Sequence, residues 1–214
     1  MARKKGAINS FPSLWAAHET LYFEVFSEAL NLLEITAEQR NNEDDISEVL
    51  YLSLHEICFK HKDDIMTPCP ELPKSPVEKN EIKGGKKRKR PDFTCNFVNP
   101  MAASSITYMI PFHIECKRLG DGNLTKKYVT DGITRFDIKS HEYGKRAPSG
   151  MMIGYIISST PASILIEVNK HLNNKFPELE FSFSRKVVSE NQELVRTEVL
   201  PIEFKIIHLW VNLN

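Results

Sequence analysis

The residues from 106 to 118 predict an extended run, and apolar and polar side chains alternate along it from Phe112 to Lys117, which defines the two faces of a strand. Side chains along a strand point alternately to opposite sides of the sheet. The apolar face would hold Phe112, Ile114 and Cys116, and the polar face would hold His113, Glu115 and Lys117. A core strand of a small α/β domain rarely places three polar side chains on one face without a use for them. The pattern therefore predicts a core strand that carries a functional site.

The segment from 91 to 98 shows the same alternation just before this strand. Its apolar positions are Phe93, Cys95 and Phe97, and its polar positions are Asp92, Thr94 and Asn96. The turn-forming pair Asn99-Pro100 and the small residues that follow it predict a hairpin between the two segments. Pairing of the two strands would bring Asp92 close to Glu115 and Lys117.

Two carboxylates and a lysine suit the metal-dependent cleavage of a phosphodiester. Mg²⁺ prefers oxygen ligands and usually takes one or two carboxylates together with phosphate and water. Asp92 and Glu115 fit this role, and the backbone carbonyl of Cys116 could supply a third oxygen. A bound metal ion polarises the phosphate and lowers the pKa of a coordinated water. Lys117 could orient that water or neutralise the charge that builds on the phosphate. We expect His113 to be a hydrogen-bonded strand histidine and the Cys116 side chain to pack in the core.

The strings Pro91-Asp92 and Glu115-Cys116-Lys117 together resemble the motif of the PD-(D/E)xK nuclease superfamily, whose members have the restriction-endonuclease-like fold. A wider pattern, which continues through Gly132-Ile133-Thr134-Arg135-Phe136 to Tyr143, is similar to a branch of bacterial restriction and phage-defence nucleases. The resemblance covers residues 43–158. It implies an α/β fold with a central mixed β-sheet flanked by helices, and it places Asp92, Glu115 and Lys117 in the catalytic positions. It also implies Mg²⁺ as the cofactor, with Mn²⁺ as a substitute.

Members of this superfamily usually add an acidic residue from a helix that precedes the motif. A helix is predicted over residues 44–61, because its apolar stripe recurs at helical spacing at Ile46, Val49, Leu50, Ser53, Leu54 and Ile57. Glu43 falls on or beside this stripe at the helix entrance, whereas Glu48 points nearly opposite and Glu56 lies at the edge. Glu43 is therefore the candidate for a third metal-binding acid. The alternative is that Glu43 only complements the positive end of the helix dipole.

Basic residues lie directly before the first half of the motif. Six of the eight residues from 83 to 90 are basic, and the candidate DNA-binding residues among them are Lys86, Lys87, Arg88, Lys89 and Arg90. Basic clusters bind nucleic acid by neutralising phosphates and releasing counterions. The alternatives are a solvated linker and a nuclear localisation signal. Arg135 is a further candidate for phosphate binding, and its alternatives are a surface arginine and an ion pair within the domain.

The length and composition predict a single nuclease-like domain. The chain has 214 residues, of which 41% are hydrophobic, and its formal net charge is zero. We expect a helical N-terminal part over 12–61, a basic loop over 63–90, a catalytic sheet core over 91–158, and a C-terminal helix and strands over 161–214. The aromatic-rich first helix, predicted over 12–35, could contact a second copy in a homodimer or pack in the core.

The C-terminal half predicts further elements of an α/β fold. Helices are expected over 125–143 and 161–176, and strands over 150–158, 179–188 and 202–213. The run over 150–158 is apolar without alternation, which is typical of a strand buried on both faces.

The cysteines and the hydropathy of the sequence indicate the cellular compartment, and the resemblance indicates the function. The four cysteines form no CxxC pair, which favours a reducing compartment, and no apolar run approaches the ~20 residues needed to cross a bilayer. We therefore expect a cytoplasmic protein without membrane contact. The resemblance implies a Mg²⁺-dependent DNA endonuclease of a restriction or anti-phage system, in which other subunits could take part. The alternative is a catalytically silent nucleic-acid-binding or assembly module with a nuclease fold, and RNA as the substrate also stays open.

Overall fold

The computed structural model describes residues 11–61, 69–70 and 90–214, and the chain forms a mixed sheet flanked by helices. The strands are β1 (Cys69–Pro70), β2 (Phe93–Val98), β3 (Met109–Leu119), β4 (Ser149–Ile156), β5 (Val187–Val195) and β6 (Glu203–Asn212). The helices are α1 (Phe11–Leu32), α2 (Glu43–Lys60), α3 (Ser105–Tyr108), α4 (Leu124–Thr130) and α5 (Pro161–Leu172), with short 3₁₀ helices at Gln39–Asn41 and Ile133–Phe136. The predicted α/β class with a mixed sheet and flanking helices is confirmed.

The sheet order is β1-β2-β3-β4-β6-β5, so the five longer strands are joined to the two-residue β1 at one edge. β3 pairs with β4, and β4 with β6, in the parallel sense. The pairs β2–β3 and β5–β6 are antiparallel. The hairpin predicted between the two alternating segments is therefore present, with α3 inserted in its connection.

Helices α1 and α2 pack on one face of the sheet. The aromatic side chains Trp15, Tyr22 and Phe26 are buried there, so core packing accounts for them. α2 begins after Asn42, whose side chain accepts a hydrogen bond from the Asp44 backbone N–H at 3.2 Å. An asparagine in this capping position satisfies one of the free N–H groups of the first turn. The predicted apolar stripe of α2 lies against the sheet, with Ile46, Leu50, Leu54 and Ile57 buried.

Helices α4 and α5 cover the opposite face, so the central strands are buried on both sides. All eight residues of β4 are buried, which confirms the prediction for this apolar run. The core on this face contains a row of hydrogen-bonded polar side chains that runs from Trp210 through Tyr128 and His208 to Gln192. The Trp210 indole donates to the Tyr128 hydroxyl at 2.9 Å, and this hydroxyl lies 2.7 Å from Nδ1 of His208. His208 Nε2 lies 3.1 Å from the Gln192 side-chain oxygen, so every member of the row has a partner.

The helix predicted over 125–143 is wrong beyond Thr130. α4 ends there, and a 3₁₀ helix at Ile133–Phe136 carries the next apolar side chains. The residue between these two helices must be small, because a Cβ at Gly132 would lie 2.3 Å from the Tyr128 carbonyl oxygen. The turns that follow are held by Arg196, which is buried and donates hydrogen bonds to the carbonyls of Phe136 and Tyr143.

The strand predicted over 179–188 is also wrong, because the strand in this region is β5, which begins only at Val187. Leu179 has its backbone N–H and carbonyl satisfied by the Asn169 side chain, with both hydrogen bonds at 3.0 Å. Phe181 stacks on Trp210 with ring centroids 4.3 Å apart. The segment thus covers the sheet with its aromatic side chains instead of joining it as a strand.

Two further features concern the cysteines and the helices. Cys58, Cys95 and Cys116 are buried, and none of these three forms a disulfide in the part of the chain that the structure describes. Within the described ranges, no helix is both long enough and apolar enough to cross a membrane.

Candidate active site

The β2–β3 pairing brings Asp92 to the middle of β3. Phe93 lies opposite Ile114 in the antiparallel register, so the residue before β2 reaches the next positions of β3. The Asp92 Oδ2 atom accepts a hydrogen bond from the Cys116 backbone N–H at 2.5 Å. Burial raises the pKa of Asp92 to about 6, although the Lys117 charge and this hydrogen bond act in the opposite direction.

Glu115 is fully buried, and its two carboxylate oxygens have different surroundings. Oε1 lies 2.8 Å from the Lys117 ammonium and also accepts a hydrogen bond from the Arg135 guanidinium. Oε2 is buried and has no hydrogen-bond partner. Burial, together with the negative charge of Asp92, raises the pKa of Glu115 to about 8, against the effect of Lys117 and Arg135. A buried carboxylate oxygen without a protein partner is costly, and a proton, a water or an ion at this atom would offset that cost.

The Lys117 ammonium lies at the centre of the cluster. It contacts Oε1 of Glu43 at 2.7 Å, Oε1 of Glu115 at 2.8 Å and the Cys116 backbone carbonyl at 2.6 Å. Burial lowers the pKa of Lys117, but the charges of Glu115, Asp92 and Glu43 outweigh burial and hold it above its ordinary value. Lys117 is therefore charged in this setting.

Glu43 joins the cluster from the first position of α2. Its Oε1 atom contacts Lys117, and its Oε2 atom accepts the Arg118 backbone N–H at 2.9 Å. The Arg118 guanidinium also donates to the Asn41 carbonyl, so the end of β3 contacts the start of α2 at several points. Glu48 is exposed to solvent as expected. Of the acidic residues considered on this helix, Glu43 is the one that contacts the motif.

Arg135 forms an ion pair within the fold. Its guanidinium contacts Glu115, and its side chain is 25% exposed. This matches the intradomain alternative of the sequence interpretation rather than a guanidinium directed at solvent. His113 is a hydrogen-bonded strand histidine as expected, because its Nδ1 atom accepts the Gly144 backbone N–H at 3.1 Å.

The remaining predicted DNA-binding residues lie before Asp92. Lys86, Lys87, Arg88 and Lys89 lie outside the described residues. Arg90 is exposed and directly precedes Pro91-Asp92. Sequence reasoning missed the contribution of Arg118, although strand alternation places it on the same face as Cys116, where α2 packs.

The donor atoms of the cluster fit a hard divalent cation. Carboxylates of Glu43, Asp92 and Glu115 and the carbonyl of Cys116 are oxygen ligands of the kind that Mg²⁺ takes. Among the residues that the structure describes, no three histidine, cysteine, aspartate or glutamate side chains converge into a preformed metal site. The Lys117 ammonium lies between Glu43 and Glu115, at 2.7 and 2.8 Å.

No protein-family model, curated protein or solved structure matches the chain.

Proposed function

We propose that this chain is a Mg²⁺-dependent DNA endonuclease with a restriction-endonuclease-like fold of the PD-(D/E)xK type. One observation carries the proposal. The Lys117 ammonium lies within 2.8 Å of both Glu43 and Glu115, and Asp92 is hydrogen-bonded to the adjacent Cys116 backbone. Three acids from a helix and a strand pair are thus linked through Lys117 and the Cys116 backbone into one cluster.

In this proposal, the acidic residues bind the metal ion and the lysine acts on the water or the phosphate. Asp92, Glu115 and the Cys116 carbonyl would hold Mg²⁺, with Glu43 as a third acid, and Mn²⁺ would substitute for it. When bound, such an ion polarises the phosphate and lowers the pKa of a coordinated water. Lys117 orients the attacking water or neutralises charge on the reacting phosphate.

Arg135 is assigned a supporting role in this proposal. Its contact with Glu115 offsets part of the cost of a fully buried carboxylate and fixes the position of that side chain. Because the guanidinium is engaged by Glu115, we assign phosphate binding first to the basic run that includes Arg90. That run directly precedes Pro91-Asp92 in sequence, so a DNA backbone held by it would lie close to the acids.

A restriction or anti-phage setting, with other subunits or a second copy of the chain, forms part of the same proposal. It is supported by the resemblance of the residues from Glu115 to Tyr143 to nucleases of that kind.

Cleavage of plasmid DNA tests the proposed activity. We expect Asp92→Asn and Lys117→Met to lower the rate with Mg²⁺ or Mn²⁺ by about 100-fold or more, because each removes a charge at the reacting centre. Glu48→Gln is the matched control, because it removes an exposed acid of the same helix α2 and should leave the rate unchanged.

Full activity in either site variant would refute the assigned mechanism. DNA binding that is insensitive to EDTA, without cleavage under any divalent ion, would instead support the silent binding module. Parallel reactions with RNA would decide between the two nucleic acids.

A further inference from the structure

The surroundings of Lys117 resemble those of a bound cation more than those of a surface lysine. An ammonium group has three N–H donors. The three oxygens that contact it are Glu43 Oε1, Glu115 Oε1 and the Cys116 carbonyl, at 2.7, 2.8 and 2.6 Å. Its side chain is only 10% exposed, so these protein oxygens take the place of most of its water. We call these three oxygens the oxygen cradle.

All three groups of the oxygen cradle belong to the set that the proposed nuclease would use to bind Mg²⁺, and Asp92 is the one further member of that set. Mg²⁺ binds oxygen at about 2.0–2.1 Å and requires a near-octahedral arrangement around itself. An ammonium that is hydrogen-bonded to the same oxygens would lie too close to a second positive centre, because like charges at short range repel strongly inside a protein. Both cations cannot use these oxygens at the same time.

We propose that the Lys117 ammonium is an internal cation of the oxygen cradle and that a divalent ion binds there only by displacing it. The inference rests on the proposed function, because it concerns how the same site takes up its metal. The flexible stem of lysine permits the movement. Arg135 stays on Oε1 of Glu115 when Lys117 leaves, and Oε2 is a further oxygen that faces no competing donor.

This arrangement couples metal uptake to the placement of the lysine. While Lys117 lies in the oxygen cradle, its ammonium forms ion pairs with Glu43 and Glu115 and does not contact a substrate. Once the metal ion has displaced it, the ammonium becomes available for the phosphate or the attacking water. The lysine would thus enter its catalytic position only when the metal is bound.

Metal affinity in a lysine-free variant tests the inference. We would measure Mg²⁺ binding to the full chain by calorimetry, without DNA, for wild type and Lys117→Met. Removing the competitor should tighten Mg²⁺ binding at least tenfold. Lys170→Met is the matched control, because Lys170 forms an exposed ion pair with Glu167 on α5, and its loss should leave the affinity unchanged. Equal or weaker binding by Lys117→Met, or no binding by either protein, would overturn the inference.

A second measurement uses the wild-type chain and does not depend on the folding of that variant. The ¹⁵N resonance of the Lys117 ammonium, assigned by its absence in Lys117→Arg, should shift or broaden as Mg²⁺ is added. A resonance that stays unchanged while Mg²⁺ binds would overturn the displacement.

These results are independent of DNA cleavage. Tighter Mg²⁺ binding by Lys117→Met, with a wild type that cleaves no DNA, would refute the nuclease function and support the displacement of Lys117 by Mg²⁺. A wild type that cleaves DNA, with unchanged Mg²⁺ affinity in Lys117→Met, would support the nuclease function and refute the displacement.

Discussion

Replacing Glu43 by glutamine tests whether this residue belongs to the site or only to the first turn of α2. Its carboxylate contacts the Lys117 ammonium at 2.7 Å and the Arg118 backbone N–H at 2.9 Å. It also lies at the positive end of the helix dipole, because α2 begins at this residue. Asp44 is exposed in the same turn, so Asp44→Asn removes a comparable dipole interaction on the solvent side.

The two contacts set the size of the expected effect. A charge near the start of a helix contributes about 0.3–1 kcal/mol, and a hydrogen bond to a charged group contributes about 1.5–3 kcal/mol. Glutamine keeps one oxygen acceptor, and the Glu43 side chain is 27% exposed, so solvent weakens what is lost. We expect Glu43→Gln to lower the free energy of unfolding by about 2 kcal/mol and Asp44→Asn by about 0.5 kcal/mol.

Urea unfolding without divalent ions measures both variants. Trp15 and Trp210 are buried in the cores on the two faces of the sheet, so tryptophan fluorescence follows the loss of both. Equal losses in Glu43→Gln and Asp44→Asn would refute the reasoning, since Glu43 would then act only on the helix dipole. Weaker Mg²⁺ binding in Glu43→Gln than in Asp44→Asn would add that Glu43 is a metal ligand.

Two further predictions concern the core behind the site. Burial lowers the pKa of His208 from 6.5 to about 3. As the pH falls from 6.5 towards 3, the unfolded chain binds a proton at this histidine and the folded chain does not, so the free energy of unfolding decreases over this pH range. The loss at pH 4 should be about 3 kcal/mol, measured as a steeper acid dependence of urea unfolding in wild type than in His208→Gln. Gly150→Ala would place a Cβ 2.4 Å from the fully buried Phe136 ring, so thermal unfolding should show a loss of about 1–3 kcal/mol, and an unchanged stability would contradict this packing.

Strand alternation was sufficient to predict the central geometry of the candidate site. It placed Asp92, Glu115 and Lys117 on a common face, and the hairpin that joins them is present. Strand alternation could not show that both faces of β3 are buried, because the helices that pack on them lie elsewhere in the sequence. The alternation of polar and apolar residues is the same whether the polar face meets water or a second layer of the fold. The complete burial of Glu115 was therefore not predictable.

The end of α4 shows a different limit of sequence reasoning. Tyr128, Ile133 and Phe136 have spacings that a continuous helix would accept, and all three are indeed buried. The chain buries them with a short helix and a 3₁₀ turn instead, because the carbonyls of the following loop bind the guanidinium of Arg196. A partner this distant in sequence leaves no local signal.

Arg135 shows why the partner of a guanidinium cannot be read from one sequence. Carboxylates and phosphates present similar oxygen pairs, and arginine binds both with the same planar group. The sequence placed Arg135 correctly near the motif but could not decide between an incoming phosphate and a buried acid. Its contact with Glu115 depends on the 3₁₀ helix that the sequence interpretation had assigned to a continuous α-helix.

The charge of the cluster connects its structure to the proposed chemistry. With all groups ionised, the carboxylates of Glu43, Asp92 and Glu115 face only two cations, Lys117 and Arg135. One negative charge would then be left uncompensated in a largely buried place, and burial together with the charge of Asp92 therefore raises the pKa of Glu115 to about 8, so that this carboxyl holds a proton near neutral pH until a cation binds. A divalent cation would reverse the balance and leave one positive charge in excess. A phosphodiester carries a single negative charge, so the loaded cluster would match the charge of one phosphate of a nucleic-acid backbone, as the proposed function expects.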